Sequence, residues 1–229
     1  MTDTDVQVQK LFNAGSHLGH KTERVHPKAR KFIYRVENGV SIIDLTKTVA
    51  QLNEAAKFVY NLGKNNKTLL VVVTKKIAAA TVQDLCQKSD IPYITVKWPA
   101  GLLSNFDMIM KNVKKLKEMK EAREKGEWEK FVKHEQVKLN KILNRLEKFY
   151  GGLVNLEKLP DALFVVDIRK EKNAVKEAKE KSIPTVAIVD TNADPETVNY
   201  PIVANDDSLS SIEFLTKHII ESYMRGKKK

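Results

Sequence analysis

The sequence predicts an α/β fold in which helices cover both faces of a mainly parallel sheet and a helical hairpin is inserted into the sheet domain. Three observations lead to this prediction. Short, β-branched apolar runs alternate with amphipathic stretches, and one long, highly charged segment interrupts the alternation. Most of the apolar runs are continuous, as in strands that are buried on both faces. Together they indicate βαβ units, and hence a Rossmann-like or flavodoxin-like, doubly wound sheet.

The predicted strands and helices follow one another along the chain. The strands are Val40–Leu45, Thr68–Val73, Tyr93–Val96, Leu163–Asp167 and Thr185–Asp190, and the helices that accompany them are Thr46–Leu62, Ile77–Lys88, Asn173–Lys181 and Leu209–Met224. Asp44 and Ser208 precede the first and the last of these helices, where N-cap residues are expected. Pro92 and Pro184 each follow a helix and precede a strand, as helix-stop signals do.

The interrupting segment, residues 105–150, is predicted to be an antiparallel coiled-coil hairpin. Its apolar residues recur at spacings of three and four among Lys, Glu and Gln, with a break near Gly126. This pattern predicts two helices with one narrow apolar stripe each. At ~1.5 Å per residue, each would be about 30 Å long. Residues 1–104 and 151–229 then form the sheet domain. The alternative is two ordinary helices that cover the sheet.

Composition restricts the classes of partner. The chain has 40 Lys and Arg residues against 29 Asp and Glu, a net charge of +11, which suits nucleic acid or an anionic membrane surface. A membrane role is disfavoured because no stretch reaches the roughly 18 to 20 apolar residues of a spanning helix. The first residues resemble neither a cleavable signal nor a transit peptide. The single cysteine, Cys86, excludes an intrachain disulfide and is expected to be a small buried residue.

Basic charge is concentrated in three segments. Residues 10–35 carry a balance of +6, residues 111–148 another +6, and residues 225–229 carry +4, which leaves −5 for the rest of the chain. We therefore expect a basic N-terminal arm at about residues 1–38, a basic hairpin and a basic tail at about residues 225–229. Such segments are the places where a polyanion is expected to bind.

Candidate RNA contacts lie where basic residues alternate with aromatic residues and glycines. Cations contact phosphates, aromatic rings stack on bases, and glycines allow close approach of the backbone. The candidates are His17, His20, Lys21, Arg24, His26, Lys28, Arg30, Lys31 and Arg35 in the arm, Trp98 and Asn105 before the hairpin, and Lys111, Lys114, Lys115, Lys117, Lys133, Lys138, Lys141 and Arg145 on the hairpin. The alternatives are a solvated arm without a partner, and packing of Trp98 at the base of the hairpin.

A metal site is a further hypothesis. His17 and His20 are three residues apart, a spacing at which imidazoles can converge on zinc. Asp190 and the Asp206-Asp207 pair follow predicted strands, where open α/β sheets bind ligands. His20, Asp190 and Asp206 are thus candidate ligands for a zinc or magnesium ion, although no cofactor is required. Loop capping by the aspartates and RNA binding by the histidines are the alternative.

Enzyme signatures are mostly missing. The sequence has no G-x-G-x-x-G after a strand, no G-x-x-x-x-G-K-S/T and no H-E-x-x-H. The remaining enzymatic alternative is a nucleotide-dependent α/β enzyme in which Asp167 and Asp190, each at the end of a predicted strand, act as acid and base or bind Mg²⁺. A coiled-coil adaptor that binds only protein is a third hypothesis.

Several blocks along the whole chain resemble, in the same order, those of the family of ribosomal protein two of the small subunit. These blocks are Ala14-Gly-Ser-His17-Leu-Gly-His20, Pro27-Lys28, Phe32-Ile33-Tyr34, Ile42-Ile43-Asp44-Leu-Thr46-Lys-Thr48, Trp98 to Asn105, Leu159-Pro-Asp-Ala-Leu-Phe-Val-Val-Asp167, Ile183-Pro184, Ala187-Ile-Val-Asp-Thr-Asn-Ala-Asp-Pro195 and Asn205-Asp-Asp207. The lysine-rich hairpin is similar to that of the bacterial and organellar branch. The chain departs from the family at Trp98-Pro-Ala-Gly, where an Arg-Trp-Leu-Gly-Gly-like stretch is usual.

The resemblance implies a structural constituent of the small ribosomal subunit rather than an enzyme. It implies binding to small-subunit ribosomal RNA and to neighbouring ribosomal proteins, with a docking surface for ribosomal protein one, which helps to bring messenger RNA to the subunit. It implies neither a membrane partner nor a small-molecule substrate. A bacterial cytoplasm is the expected location, with an organelle as the alternative.

Overall fold

The computed structural model describes residues 3–228, so residues 1 and 2 of the predicted arm and Lys229 of the predicted tail lie outside it. The strands are β1 Leu18–Lys21, β2 Ile33–Glu37, β3 Val40–Ile43, β4 Leu69–Val72, β5 Tyr93–Ile94, β6 Ala162–Val166, β7 Thr185–Val189 and β8 Tyr200–Val203. The α-helices are α1 Asp3–Asn13, α2 Leu45–Lys64, α3 Lys76–Lys88, α4 Phe106–Glu124, α5 Lys133–Tyr150, α6 Lys172–Glu180 and α7 Leu209–Lys227.

A five-stranded parallel sheet in the order β5-β4-β6-β7-β8 forms the centre of the fold. The register runs straight across its middle, with Val71 opposite Phe164, Phe164 opposite Val186 and Val186 opposite Tyr200. This is the flavodoxin-like order, and it confirms the predicted α/β class. In such sheets the order reverses beside the first strand, here between β4 and β6, and ligand sites lie at the carboxyl ends of the strands there.

Both faces of the sheet are buried, which explains the continuous apolar runs. Leu69, Val71 and Val73 face a core formed with α2, α3 and α7. Leu70 and Val72 face the opposite core, formed with α6 and the start of α4. Since successive side chains of a strand point to opposite faces, only an uninterrupted apolar run satisfies both cores.

Two details differ from the sequence-based prediction. The predicted strand Val40–Leu45 does not join the parallel sheet; its residues 40–43 form β3, which pairs antiparallel with β1 and β2. An apolar run shows that a strand is buried but does not indicate which sheet it joins. The edge strand β8 was not predicted. It contains Pro201, which lacks a backbone N–H and is tolerated in sheets mainly on edge strands.

From residue 3 onwards, the region predicted as a basic arm is folded onto the sheet domain. The side chain of Leu11 on α1 is fully buried in the larger core. The backbone N–H of His26 donates to the carbonyl of Thr191 at 2.8 Å, and that of Asn205 donates to the carbonyl of Ser16 at 3.0 Å. The basic side chains of this region therefore project from an ordered surface.

Helices α4 and α5 of the predicted hairpin pack against each other. Leu116 and Leu143 are buried in a small cluster that Trp128 closes. Gly126 lies in the connection between the helices with φ +71°, a backbone conformation that favours glycine. Packing of the helix pair is thus evident, while the coiled-coil geometry and the domain boundaries at residues 105 and 150 stay predictions.

Helices α2 and α7 approach so closely that their backbones touch at two glycines. A Cβ atom on Gly63 would lie 2.2 Å from the carbonyl oxygen of Tyr223, and one on Gly226 would lie 2.2 Å from that of Tyr60. Glycine is the residue that permits this distance because it has no side chain. Within residues 3–228, no helix has the length and apolarity needed to cross a membrane.

Candidate nucleic-acid interface and polar cluster

The basic face of the N-terminal region is built on a short 3-10 helix, Pro27–Phe32. His26 precedes it, and the His26 Nδ1 atom accepts the N–H of Lys28 at 3.4 Å. Ala29 is fully buried and anchors the helix, whereas Lys28, Arg30 and Lys31 are exposed. One small apolar side chain thus orients three cations towards the solvent.

These cations fall into two groups. Lys28 lies 3.1 Å from a carboxylate oxygen of Asp194 and 2.9 Å from one of Glu196, and Lys31 also lies 2.9 Å from Glu196. Hydrogen bonds to Glu196 and Asp194 raise the pKa of Lys28 above its usual value. Arg35 pairs with Glu37, but Lys21, Arg24 and Arg30 have no ion pair within the described residues. The second group has its full charge available to a partner.

The predicted hairpin cations are all exposed, and nearly all are unpaired. Of these predicted hairpin cations, only Lys114 has an acidic partner within the described residues: Glu118, at 3.9 Å and one helical turn away. An exposed pair of this kind is worth only a few tenths of a kcal/mol. The structure therefore leaves these side chains free to contact phosphates: Lys111, Lys115, Lys117, Lys133, Lys138, Lys141 and Arg145.

Trp98 lies inside the protein at the base of the α4–α5 pair. Its side chain is 5% exposed, and its Nε1–H donates to Glu177 at 3.0 Å. A ring covered to this extent has no free face for a base, which favours the alternative role of Trp98, packing at the base of the hairpin. Asn105, the other candidate here, is exposed directly before α4.

The Glu177 carboxylate holds the loop that precedes α4. Besides Trp98, it accepts the backbone N–H groups of Gly101 at 2.8 Å and Leu103 at 3.0 Å. Burial raises the pKa of Glu177, but these hydrogen bonds outweigh that effect and hold the pKa below its usual value. One ionised side chain on α6 thus fixes the base of the helix pair.

The structure separates the two histidines that were predicted to converge. His17 stacks on Phe12, with ring centroids 4.3 Å apart, whereas His20 lies at the carboxyl edge of the sheet. The His20 Nδ1 atom is 3.1 Å from a carboxylate oxygen of Asp190, and its Nε2 atom is 3.6 Å from Asp207. Ligand atoms of these three residues all lie within 4.8 Å of one another. The predicted metal ligand was Asp206, but the carboxylate that lies near His20 and Asp190 is that of Asp207.

Asp206 belongs instead to a cluster around Lys75, at the reversal point between β4 and β6. The Lys75 Nζ atom is 2.5 Å from Asp206, 2.7 Å from Asp207 and 3.3 Å from Asp167. Burial alone would lower the pKa of Lys75, but these carboxylates raise it overall. Burial, with the charges of Asp190 and Asp167, raises the pKa of Asp206 to about 7, although Lys75 acts in the opposite direction.

The two aspartates of the enzymatic alternative do lie at the ends of adjacent strands. Both are engaged in the cluster, since Asp167 shares Lys75 with Asp206 and Asp207, and Asp190 contacts the imidazole of His20. The Asp167 carboxylate also accepts the backbone N–H groups of Arg169 at 3.1 Å and Lys170 at 2.9 Å. These contacts are those of a residue that caps a turn.

Comparison with known proteins bears on this arrangement of a parallel sheet, a basic helix pair and an ordered basic face. Residues 11–226 match the family model described as ribosomal protein S2. The small ribosomal subunit protein uS2 of Coprothermobacter proteolyticus is 42% identical over 222 residues, covering 97% of this chain and 83% of that protein. The protein of the same name from Bdellovibrio bacteriovorus is 40% identical over 223 residues, covering 97% of this chain and 71% of that protein.

Proposed function

The chain belongs to the ribosomal protein S2 family, a family of the small ribosomal subunit, and from that premise we propose that it binds ribosomal RNA within that subunit. The observation that carries the proposal is the set of exposed cations without acidic partners, on the α4–α5 pair and at Lys21, Arg24 and Arg30. Unpaired cations on ordered elements bind phosphates without first breaking an ion pair. The family consists of ribosomal proteins, so the nucleotide-dependent enzyme is not proposed.

In this proposal the two basic surfaces have different tasks. Lys28 and Lys31 are held in position by Asp194 and Glu196, so they present a fixed pattern of charge. The lysines of α4 and α5 lie on exposed helix surfaces, and most of them have no acidic partner within the described residues. We therefore expect the N-terminal face to set the orientation on the RNA, while the helix pair adds affinity that depends on salt.

The first test removes charge from the unpaired arginines. Arg24→Gln with Arg30→Gln is expected to weaken rebinding to small subunits depleted of this protein by roughly 10-fold or more near 0.1 M salt, because two phosphate contacts are lost. The measurement is the fraction of protein that sediments with the subunit across a salt series. Lys57→Gln with Lys64→Gln on α2, which removes the same charge elsewhere, is the matched control.

The salt dependence of wild-type binding, measured in the same experiment, tests the proposal itself. The affinity of the wild-type protein is expected to fall steeply as salt rises, since each neutralised phosphate steepens the slope of log affinity against log salt by about 0.7 to 0.9. Co-sedimentation with no dependence on salt would show that phosphates are not the main contact. A free peak near the monomer position at every salt concentration would reject RNA binding altogether.

Docking of ribosomal protein one and a location in the bacterial cytoplasm are further parts of the proposal. The family resemblance supports the first, and the bacterial origin of the two similar proteins supports the second. Small subunits rebuilt with and without this chain are expected to differ in the amount of purified ribosomal protein one that they retain. Equal retention would contradict the docking role.

We also propose that His20, Asp190 and Asp207 bind one zinc ion. Their ligand atoms lie within 4.8 Å of one another, and an imidazole nitrogen with carboxylate oxygens suits zinc better than magnesium. After equilibration with zinc and dialysis, we expect about one zinc per chain by mass spectrometry, and none for His20→Ala with Asp207→Asn. Asp84→Asn, at a distant carboxylate on α3, is the control. Equal zinc content in the wild type and the His20 variant would refute the site.

A further inference from the structure

The surface of α6 carries a concentration of positive charge that a count of charges along the sequence does not show. Residues 169–181 contain six basic and three acidic residues. Two of the acids, Glu171 and Glu177, are buried, one bonded to the hydroxyl of Thr74 and the other to the loop before α4. Only Glu180 remains on the surface, 3.9 Å from Lys176. The outer face of this segment is therefore almost purely cationic.

This cationic face is one wall of a groove. Arg169, Lys172, Lys176 and Lys179 line it from the α6 side, and Asn192, Ala193, Asp194 and Thr197 with His26 line the other side. Asp194, the acid of that second wall, is already paired with Lys28, and the neighbouring Glu196 is paired with Lys28 and Lys31. The groove thus lies between the α6 cations and the basic N-terminal face, with little uncompensated negative charge inside.

The floor of the groove favours a polyanion over a protein partner. Its apolar residues Ile168, Val175 and Ala193 are 6%, 9% and 8% exposed, so the exposed side chains that line the groove are the four cations of the α6 side and Thr197. Among the described residues that line it, His26 has the only aromatic ring, and no Phe, Tyr or Trp is present for bases to stack on. Rows of cations without such rings suit the phosphate backbone.

We infer that the groove between α6 and residues 192–197 binds the backbone of a ribosomal RNA segment through Arg169, Lys172, Lys176 and Lys179. This inference rests on the proposed RNA-binding function and extends it to a face that lies outside the three basic segments of the sequence. The groove lies beside the N-terminal basic face, on the face of the sheet that α6 covers. Helices α2 and α7 cover the other face. One RNA segment is then held between two walls.

The first experiment measures the salt dependence of RNA binding for a variant that lacks three positive charges of α6. Lys172→Gln with Lys176→Gln and Lys179→Gln is expected to lower the slope of log affinity against log salt, for rebinding to depleted small subunits, by about 2 to 3. The matched control is Lys57→Gln with Lys64→Gln and Lys217→Gln on the opposite face of the sheet. A variant slope equal to that of the control overturns the inference.

A second experiment identifies what faces the groove in the complex. Cys86 is fully buried, and burial raises the pKa of its thiol to about 12, so an exposed cysteine introduced elsewhere can be labelled selectively. We would attach a benzophenone photo-crosslinker to Lys176→Cys and, as a reference, to Lys141→Cys on α5, and irradiate each in rebuilt subunits.

The outcomes separate the inference from the proposed function. Crosslinks from position 176 to ribosomal RNA support the inference. Crosslinks from position 176 to protein alone, or none there while position 141 reaches RNA, overturn it and leave RNA binding intact. Absence of RNA crosslinks from both positions, together with rebinding that does not depend on salt, overturns both.

Discussion

Gly226→Ala is expected to lower the free energy of unfolding by about 3 kcal/mol or more, the largest effect of any single substitution considered. The new Cβ would lie 2.2 Å from the carbonyl oxygen of Tyr60 and 2.9 Å from the backbone nitrogen of Lys64. Both contacts are with the backbone of another helix, so no side chain can rotate away. Helices α2 and α7 must separate, which loosens the larger core along both of them.

Urea unfolding followed by circular dichroism is the appropriate measurement for this prediction. Gly151→Ala is the control, because its Cβ would meet only the side chain of Glu147, at 3.6 Å; a change within about 0.5 kcal/mol is expected. Gly63→Ala should cost a similar amount to Gly226→Ala, and the double variant less than the two combined, since one separation of the helices relieves both contacts. Full additivity would contradict this account.

Glu177→Gln is expected to cost about 2 to 3 kcal/mol at neutral pH. The carboxylate accepts hydrogen bonds from Trp98, Gly101 and Leu103 on both of its oxygens. An amide offers one oxygen and places an NH₂ group against the remaining donors, so a buried N–H loses its partner. Glu180→Gln is the matched control, because that exposed side chain has only a 3.9 Å contact with Lys176.

The effect of Glu177→Gln should depend on pH. The folded-state pKa of Glu177 lies below the usual value of 4.5. A lowered pKa stabilises the folded state above the unfolded-state pKa, and that contribution is lost as the pH falls through the folded-state value. The difference between wild type and variant should therefore be full at pH 7 and shrink below about pH 4.5. A difference that stays constant into acid would show that the charge of Glu177 is not what holds the loop.

The sequence predicted the parts of the fold that depend on local pattern. Continuous apolar runs identified four of the five strands of the parallel sheet, because a strand that is buried on both faces needs apolar residues at successive positions. The edge strand β8 has only four residues and includes Pro201, so its sequence does not show a clear strand pattern. The placement of β3 depends on which strand it meets in space, and that information is absent from its own residues.

The candidate sites show the same distinction. Exposure of the hairpin cations followed from helical periodicity. Periodicity did not show whether Asp206 or Asp207 lies beside His20, because the side chains of adjacent residues point in different directions that depend on the local backbone conformation. Here the Asn205 side chain accepts the N–H of Asp207 at 2.8 Å, which sets that direction. The α6 surface was missed because counting charge along the chain includes Glu171 and Glu177, which fold inwards.

The close contact of α2 with α7 has a consequence for the order in which the chain can fold during synthesis. Helix α2 ends at Lys64, whereas α7 begins only at Leu209. Much of the apolar side of α2 therefore stays uncovered until nearly all of the described chain has been made. Structure that needs such distant pairing forms slowly and exposes apolar surface meanwhile. The nascent protein is thus expected to depend on chaperones until α7 emerges, and a messenger truncated before codon 209 should yield an aggregating product.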